Sequence, residues 1–291
     1  MIRIAVIGAG AIGGTLAAWL AQRDAHAITL CVRSPLDELV VETPAGTIRA
    51  APRVLTDPAR AEPVDWVLAA TKTYDCAAAA AWLPGLIGPE TRLAVIQNGV
   101  EHLSRFPQVP GARTVPVIID LPAERTAPGR IVQRREGSIL VPDSDAGAAF
   151  AALFAGTIID AQTTPDWLTA AWRKLAINCS GIVSAITRRP AEVANDAGVA
   201  EVMRTLVREC IAVGRAEGAT LPDSLADKIV VWTTRAHPQS VNSLHADFVA
   251  GRPMELEARN GVIVRLGARH GIDAPMNRAL AAPLGAAAAA A

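Results

Sequence analysis

The sequence predicts an α/β chain of two parts: a doubly wound parallel sheet over residues 1–163 and an all-helical domain over 164–291. Three observations carry that expectation. Short continuous apolar runs alternate with helical stretches through the first half, a glycine-rich turn closes the first run, and convincing strands are absent from the second part. Continuous apolar runs separated by helices mark parallel strands buried on both faces, and right-handed crossovers between them build a doubly wound sheet. At about 150 residues per domain, the length also points to two domains.

Ile2–Ile7 is the first expected strand, and Ile12–Gln22 has the small residues and spacing of a helix. Ile28–Val32, Trp66–Ala70 and Leu93–Ile96 read as the next strands, with the alanine-rich Cys76–Leu86 a helix between the last two. Thr114–Ile119, Arg130–Gln133 and Ser138–Val141 read as later strands, and Pro128-Gly129 as a turn. The character changes near Thr163-Thr164-Pro165-Asp166, where Asp166 or a neighbouring threonine can cap a helix through Trp167, Leu168, Ala171, Trp172 and Leu175. Val199–Glu217, Asp223–Arg235 and Glu255–His270 then show helical periodicity. The alanine run after Gly285 reads as a fraying helix end.

Composition excludes several partners. The 28 basic and 28 acidic side chains cancel, and aromatic residues make up only 4%. Neither a nucleic-acid surface nor an anionic membrane has an electrostatic or stacking basis here. Mean hydropathy is +0.27, but alanine carries much of it, and no stretch of about 18 strongly apolar residues suggests a membrane span. The opening MIRIAVIGAG reads as a buried strand and not a signal peptide. Cys31, Cys76, Cys179 and Cys210 form no CxxC pair, and the five histidines show no metal-ligand spacing. Scattered thiols without an export signal imply a reducing, cytoplasmic setting and no metal.

Gly8-Ala9-Gly10-Ala11-Ile12-Gly13 follows the first strand and opens a helix, the context in which GxGxxG carries meaning. Gly8 permits a tight turn, Gly10 lets a pyrophosphate approach the backbone, and Gly13 allows close helix–strand packing. Free N–H groups at the helix start then hold the phosphate, so the first domain is expected to be a Rossmann-type dinucleotide site. A site preferring NAD carries an acidic residue at the end of the second strand. Here Arg33 and Ser34 stand there, and a guanidinium suits the 2′-phosphate of NADP.

Only three of the 28 basic residues are lysines: Lys72, Lys174 and Lys228. Lysine can surrender a proton when its pKa is lowered and arginine cannot, so a surviving lysine marks a place where arginine will not serve. Thr71-Lys72 ends the third run and Gln97-Asn98-Gly99 follows the fourth. The C-terminal ends of strands in such a sheet are where ligands bind, which places Lys72 and Asn98 toward the cofactor. Lys174 and Asn178 lie four apart on one helix face, able to deliver a proton and orient an oxygen. The same spacing also suits an ordinary solvated face.

These residues together resemble the ketopantoate reductases. The resemblance rests on Gly8 to Gly13, Lys72, Gln97-Asn98-Gly99, Lys174-Leu175-Ala176-Ile177-Asn178-Cys179 and Ser243. It continues in Met254-Glu255-Leu256-Glu257 with Asn260-Gly261, and in Gly271-Ile272-Asp273-Ala274-Pro275-Met276-Asn277. It implies NADPH-dependent reduction of a small 2-oxo acid, ketopantoate, to its 2-hydroxy acid on the way to pantothenate and coenzyme A. By the same resemblance Lys174 is the proton donor, and Asn178 and Ser243 bind substrate, Ser243 at its carboxylate. Glu255 contacts the cofactor and orders the polar cleft; Lys72 and Asn98 surround the nicotinamide ribose, with Asn98 also reaching substrate. The sequence departs from the family at Ile182, where a second substrate-facing asparagine is common four residues after the first. That departure opens the alternative of another 2-oxo acid. A non-catalytic NADP(H)-binding sensor is the reading from a different class, and retention of Lys174, Asn178, Ser243 and Glu255 weighs against it. The length and apolar content of the helical part suggest a homodimer.

Overall fold

The computed structural model describes residues 1–289, which form two compact units. One comprises Met1–Gln97 and Glu101–Trp167, the other Asn98–Val100 and the described residues from Leu168 onward. A linear division at residue 163 therefore misses one return: three residues after the fourth expected strand pack with the helical unit. The strand Ile159–Thr164 also runs across the expected boundary.

In the first unit six parallel strands form one sheet: Arg53–Leu55, His26–Cys31, Ile2–Ile7, Val64–Ala69, Ile87–Val95 and Thr114–Pro116, in that spatial order. Numbered by their sequence order within this sheet, they run 3-2-1-4-5-6, the doubly wound dinucleotide-binding order. Strand alternation explains the two cores. Ile4, Val6, Leu30, Trp66, Leu68 and Ala94 face one side with the helix Ala11–Leu20 and Phe150. Ala5, Ile7, Val67, Ala69, Leu93 and Val95 face the other with Leu83, Leu86 and Phe106. Both faces are covered, which is why the runs read as continuously apolar.

Several expectations change in detail. Cys76–Leu86 is two short helices, Cys76–Ala80 and Leu83–Leu86, because Pro84 has no N–H to continue one helix. Thr114–Ile119 divides at Val117, after Pro116: Thr114–Pro116 joins the parallel sheet, whereas Ile118–Asp120 pairs antiparallel with Gly137–Pro142. A four-stranded sheet contains the unforeseen hairpin Leu39–Thr43 and Gly46–Ala50, with Arg130–Gln133 and Ala123–Ala127. Its turn is held by the Thr43 hydroxyl, which donates to the Gly46 carbonyl and accepts from the Ala45 amide.

The second unit is helical around one core. Met203, Leu206, Val207, Cys210 and Ile211 of Ala197–Ala216 pack with Trp172, Leu175, Ile182, Ile229 and Ile263. Asp196 caps that helix by accepting from the Val199 amide at 3.0 Å. The helix Trp167–Ser180 is fixed in this core by Trp172, Leu175, Ala176 and Cys179, so its polar residues keep a defined direction. The stretch expected to be one helix over Glu255–His270 begins instead with a π-helical turn, Glu257–Gly261, before Val262–Arg269. The helix Pro275–Ala289 covers most of the terminal alanine run, and its last two residues lie outside the described residues.

Candidate active site

The glycine turn of the first unit is built by backbone. Gly8 has φ +95°, a conformation side chains rarely adopt, and its amide donates to the Cys31 carbonyl at 3.0 Å. A Cβ on Gly13 would fall 2.0 Å from the Gly8 carbonyl oxygen, so the helix can approach the strand only with glycine there. Gly10 differs: a Cβ there meets nothing within 4 Å. Gly10 is also the N-cap of Ala11–Leu20 and makes no side-chain capping bond. The first-turn amides of this helix have no intrahelical acceptor and lie at the positive end of its dipole. The open side at Gly10 together with an uncapped helix start fits a pyrophosphate held by backbone N–H groups. Ala9, Ala11 and Ile12 complete the turn and are half-buried.

Arg33 and Ser34 lie solvent-exposed just beyond the strand His26–Cys31, the position that meets the adenosine ribose in this sheet order. Lys72 is half-buried and precedes the short turn Thr73–Asp75 after the strand Val64–Ala69. Gln97 is structural. Its amide nitrogen donates to the Thr71 carbonyl at 3.0 Å and the Thr71 hydroxyl at 3.1 Å, and its oxygen accepts from Arg105 at 3.1 Å. It ties the ends of two adjacent strands together.

The second unit gathers three of the expected residues into one hydrogen-bonded row. Asn178 Nδ2 donates to Asn98 Oδ1 at 3.2 Å, and Asn98 Nδ2 donates to Glu255 Oε2 at 2.9 Å. These residues lie 80 and 157 positions apart in the chain. Glu255 is only 5% exposed, so its carboxylate has exchanged water for the Asn98 amide. Both ends of Asn98 are used, which sets its amide orientation, while Asn178 keeps its own oxygen for another donor. Lys174 is half-buried one helical turn before Asn178.

Ser243 begins the helix Ser243–Val249 and is exposed; its hydroxyl oxygen accepts from Arg259 Nη2 at 2.9 Å. Arg259 was not singled out by the sequence reading. The signal was present, because 259 continues the buried stripe of Val262, Ile263 and Leu266 backward by helical spacing. A charge on that stripe is the anomaly.

Other motif residues prove structural. Asn260 is fully buried and donates to the Cys179 carbonyl at 3.1 Å and to Asn277 Oδ1 at 2.8 Å. Asn277 in turn meets Glu209, whose carboxylate also accepts from the Met276 and Asn277 amides at the start of the last helix. His245 is buried with Nδ1 at 2.9 Å from the Ser184 carbonyl, a packing role. Ile182 does not continue the face of Lys174 and Asn178. The first helix ends at Ser180, Gly181 intervenes, and Ile182 starts the helix Ile182–Thr187, fully buried in the core. Among the described residues no group of three or more His, Cys, Asp or Glu could hold a metal, and no helix is long and apolar enough to cross a membrane.

Comparison with known proteins agrees with this assembly. Residues 4–146 match the family described as ketopantoate reductase PanE/ApbA, and residues 166–288 match its C-terminal domain. The 2-dehydropantoate 2-reductase of Caulobacter vibrioides is 58% identical over 99% of this chain and 100% of its own. That of Mycobacterium tuberculosis is 38% identical over 98% of this chain and 97% of its own. The crystal structure of a PanE/ApbA family ketopantoate reductase from Ralstonia eutropha superimposes with a TM-score of 0.89 at 30% identity, covering 99% of this chain and 98% of that one. With a glycine-turn sheet, a side-chain site in the helical unit and family matches across both, the chain belongs to the ketopantoate reductase family.

Proposed function

We propose that the chain reduces 2-dehydropantoate to pantoate with NADPH, and that Lys174 donates the proton. The observation that carries this reading is the Asn178–Asn98–Glu255 row, set one helical turn from Lys174. Nucleotide binding alone requires no such array in the helical unit. The full-length 58% identity to a 2-dehydropantoate 2-reductase supports the substrate.

NADPH, when bound, supplies the hydride that adds to the 2-oxo carbon. The chain's own groups supply the rest. Amides at the start of Ala11–Leu20 would hold the pyrophosphate, and Arg33 would pair with the 2′-phosphate as a charge-assisted donor. By the family resemblance, Lys72 and Asn98 are the polar groups we assign to the nicotinamide ribose. As charge builds on the 2-oxo oxygen, the Lys174 ammonium stabilises it and transfers a proton, leaving a neutral hydroxyl and a neutral amine. Asn178 orients that oxygen, Ser243 donates to the carboxylate, and Glu255 fixes Asn98 by accepting its amide. The partner is thus a small 2-oxo acid in a reducing cytoplasm, and we assign the helical unit the contact of a homodimer.

The test is NADPH oxidation followed by absorbance with ketopantoate, pyruvate and 2-oxoisovalerate, with NADH as the control cofactor. NADPH-selective turnover of ketopantoate is expected. Turnover of another 2-oxo acid alone reassigns the substrate, and NADPH binding without any turnover identifies a sensor.

A further inference from the structure

Arg259 has no place in the mechanism above, yet its surroundings are unusual. It sits on the π-helical turn, 4% exposed, and only Nη2 has a partner, the Ser243 hydroxyl at 2.9 Å. Among the described residues, its buried Nε and Nη1 have no hydrogen-bond partner. An arginine buried for structure alone has its donors satisfied, because each unpaired donor forfeits its hydration for nothing. The position also belongs to a core stripe that an apolar residue would fill at lower cost. Local rules broken in this way, on a π turn, mark functional sites.

Charge and hydroxyl geometry say what the function is. The carboxylates acting on Arg259 are Glu255 and Asp247. Asp247 is paired with Arg252 at 3.0 Å, and Glu255 receives the Asn98 amide. Burial lowers the guanidinium pKa from its ordinary value while the two carboxylates hold it up, and arginine keeps its charge at neutral pH. A hydroxyl has one hydrogen and two acceptor sites. Arg259 occupies an acceptor site of Ser243, so the Ser243 hydrogen is directed away from the guanidinium, and Ser243 is exposed.

We infer that Arg259 is the positioning residue for the substrate carboxylate: it aims and polarises the Ser243 hydroxyl and supplies the charge that selects a 2-oxo acid anion over an uncharged 2-oxo compound. The inference rests on the reductase reading above. It adds a specificity determinant that stands behind the substrate-binding serine.

The experiment compares kcat and KM for ketopantoate and its uncharged 2-oxo amide, at saturating NADPH, in the wild type, Arg259→Met and Arg259→Lys. The wild type is expected to prefer the acid by at least about tenfold in kcat/KM, as one charged hydrogen-bonded contact implies. Arg259→Met loses about 10–100-fold on the acid, chiefly in KM, with the amide unchanged. Arg259→Lys recovers part of the acid preference. Adding Ser243→Ala to Arg259→Met costs little more, since the two act as a unit. An equal fall on acid and amide, or an unchanged KM for the acid, overturns the inference alone. If Arg259→Met does not fold, a wild type without acid preference, or a lysine variant that loses acid and amide equally, overturns it instead. Absence of NADPH oxidation by the wild type, with any 2-oxo acid, overturns the reductase reading and this inference with it.

Discussion

The glycine turn of the first unit and the polar row of the second are built on opposite principles. The first is made of backbone within six consecutive residues, and its chemistry is the absence of side chains: Gly8 for φ +95°, Gly13 for a helix that would otherwise collide with a carbonyl oxygen. The second is made of side chains from Asn98, Asn178 and Glu255, in three distant stretches held together by a helical core. A backbone site forbids added atoms and tolerates varied neighbours. A side-chain site fails when a functional group is removed, even if volume is kept.

That contrast can be broken first at Lys174. Lys174→Arg keeps the charge and loses the ready proton, and Lys174→Met loses both. Each is expected to lower kcat by about 10²–10⁴-fold, with NADPH affinity measured by fluorescence titration unchanged. Near-normal turnover in the arginine variant removes Lys174 from the proton-donor role. Arg33→Ala is the counterpart in the first unit, where a side chain joins a backbone site. It is expected to weaken NADPH by about 10–100-fold, the value of one charged hydrogen bond, and leave NADH unaffected.

Gly13→Ala forces a Cβ onto a backbone oxygen and is expected to cost about 1–3 kcal/mol by denaturant unfolding. Gly10→Ala meets open space, so stability is expected to hold while NADPH binding falls at least about tenfold if, as proposed, the phosphate approaches there. Equal stability loss in both would reduce the turn to a packing device.

The smallest effect concerns pH. His102 is buried, and desolvation, helped by Arg105, holds its pKa down to about 3 against an ordinary 6.5. The unfolded chain binds a proton between those values and the folded chain does not, so stability falls as pH drops below 6.5. At pH 5 the loss is about 2 kcal/mol. His102→Gln is expected to flatten that slope in urea titrations at pH 7 and pH 5.

The apolar runs Ile2–Ile7 and Ile28–Val32 announce buried parallel strands, since burial on both faces leaves no polar alternation to confuse the pattern. Leu39–Thr43 and Gly46–Ala50 escaped because their turn depends on a threonine hydroxyl and one glycine. Lys174 and Asn178 were visible as a pair four apart. That Asn98 bridges Asn178 and Glu255 was not, because nothing in local spacing encodes contacts across 80 and 157 residues.

Short-range sterics and periodicity encode the glycine turn, the alternation of strands and helices, and the inventory of scarce lysines and amides. Which amides meet Glu255, that Ile182 belongs to the core, and that Arg259 lies buried against Ser243 follow from packing between distant segments. The physical reason is burial. A side chain's partners and its cost depend on what the rest of the chain packs around it, and that is settled only when distant segments share one core.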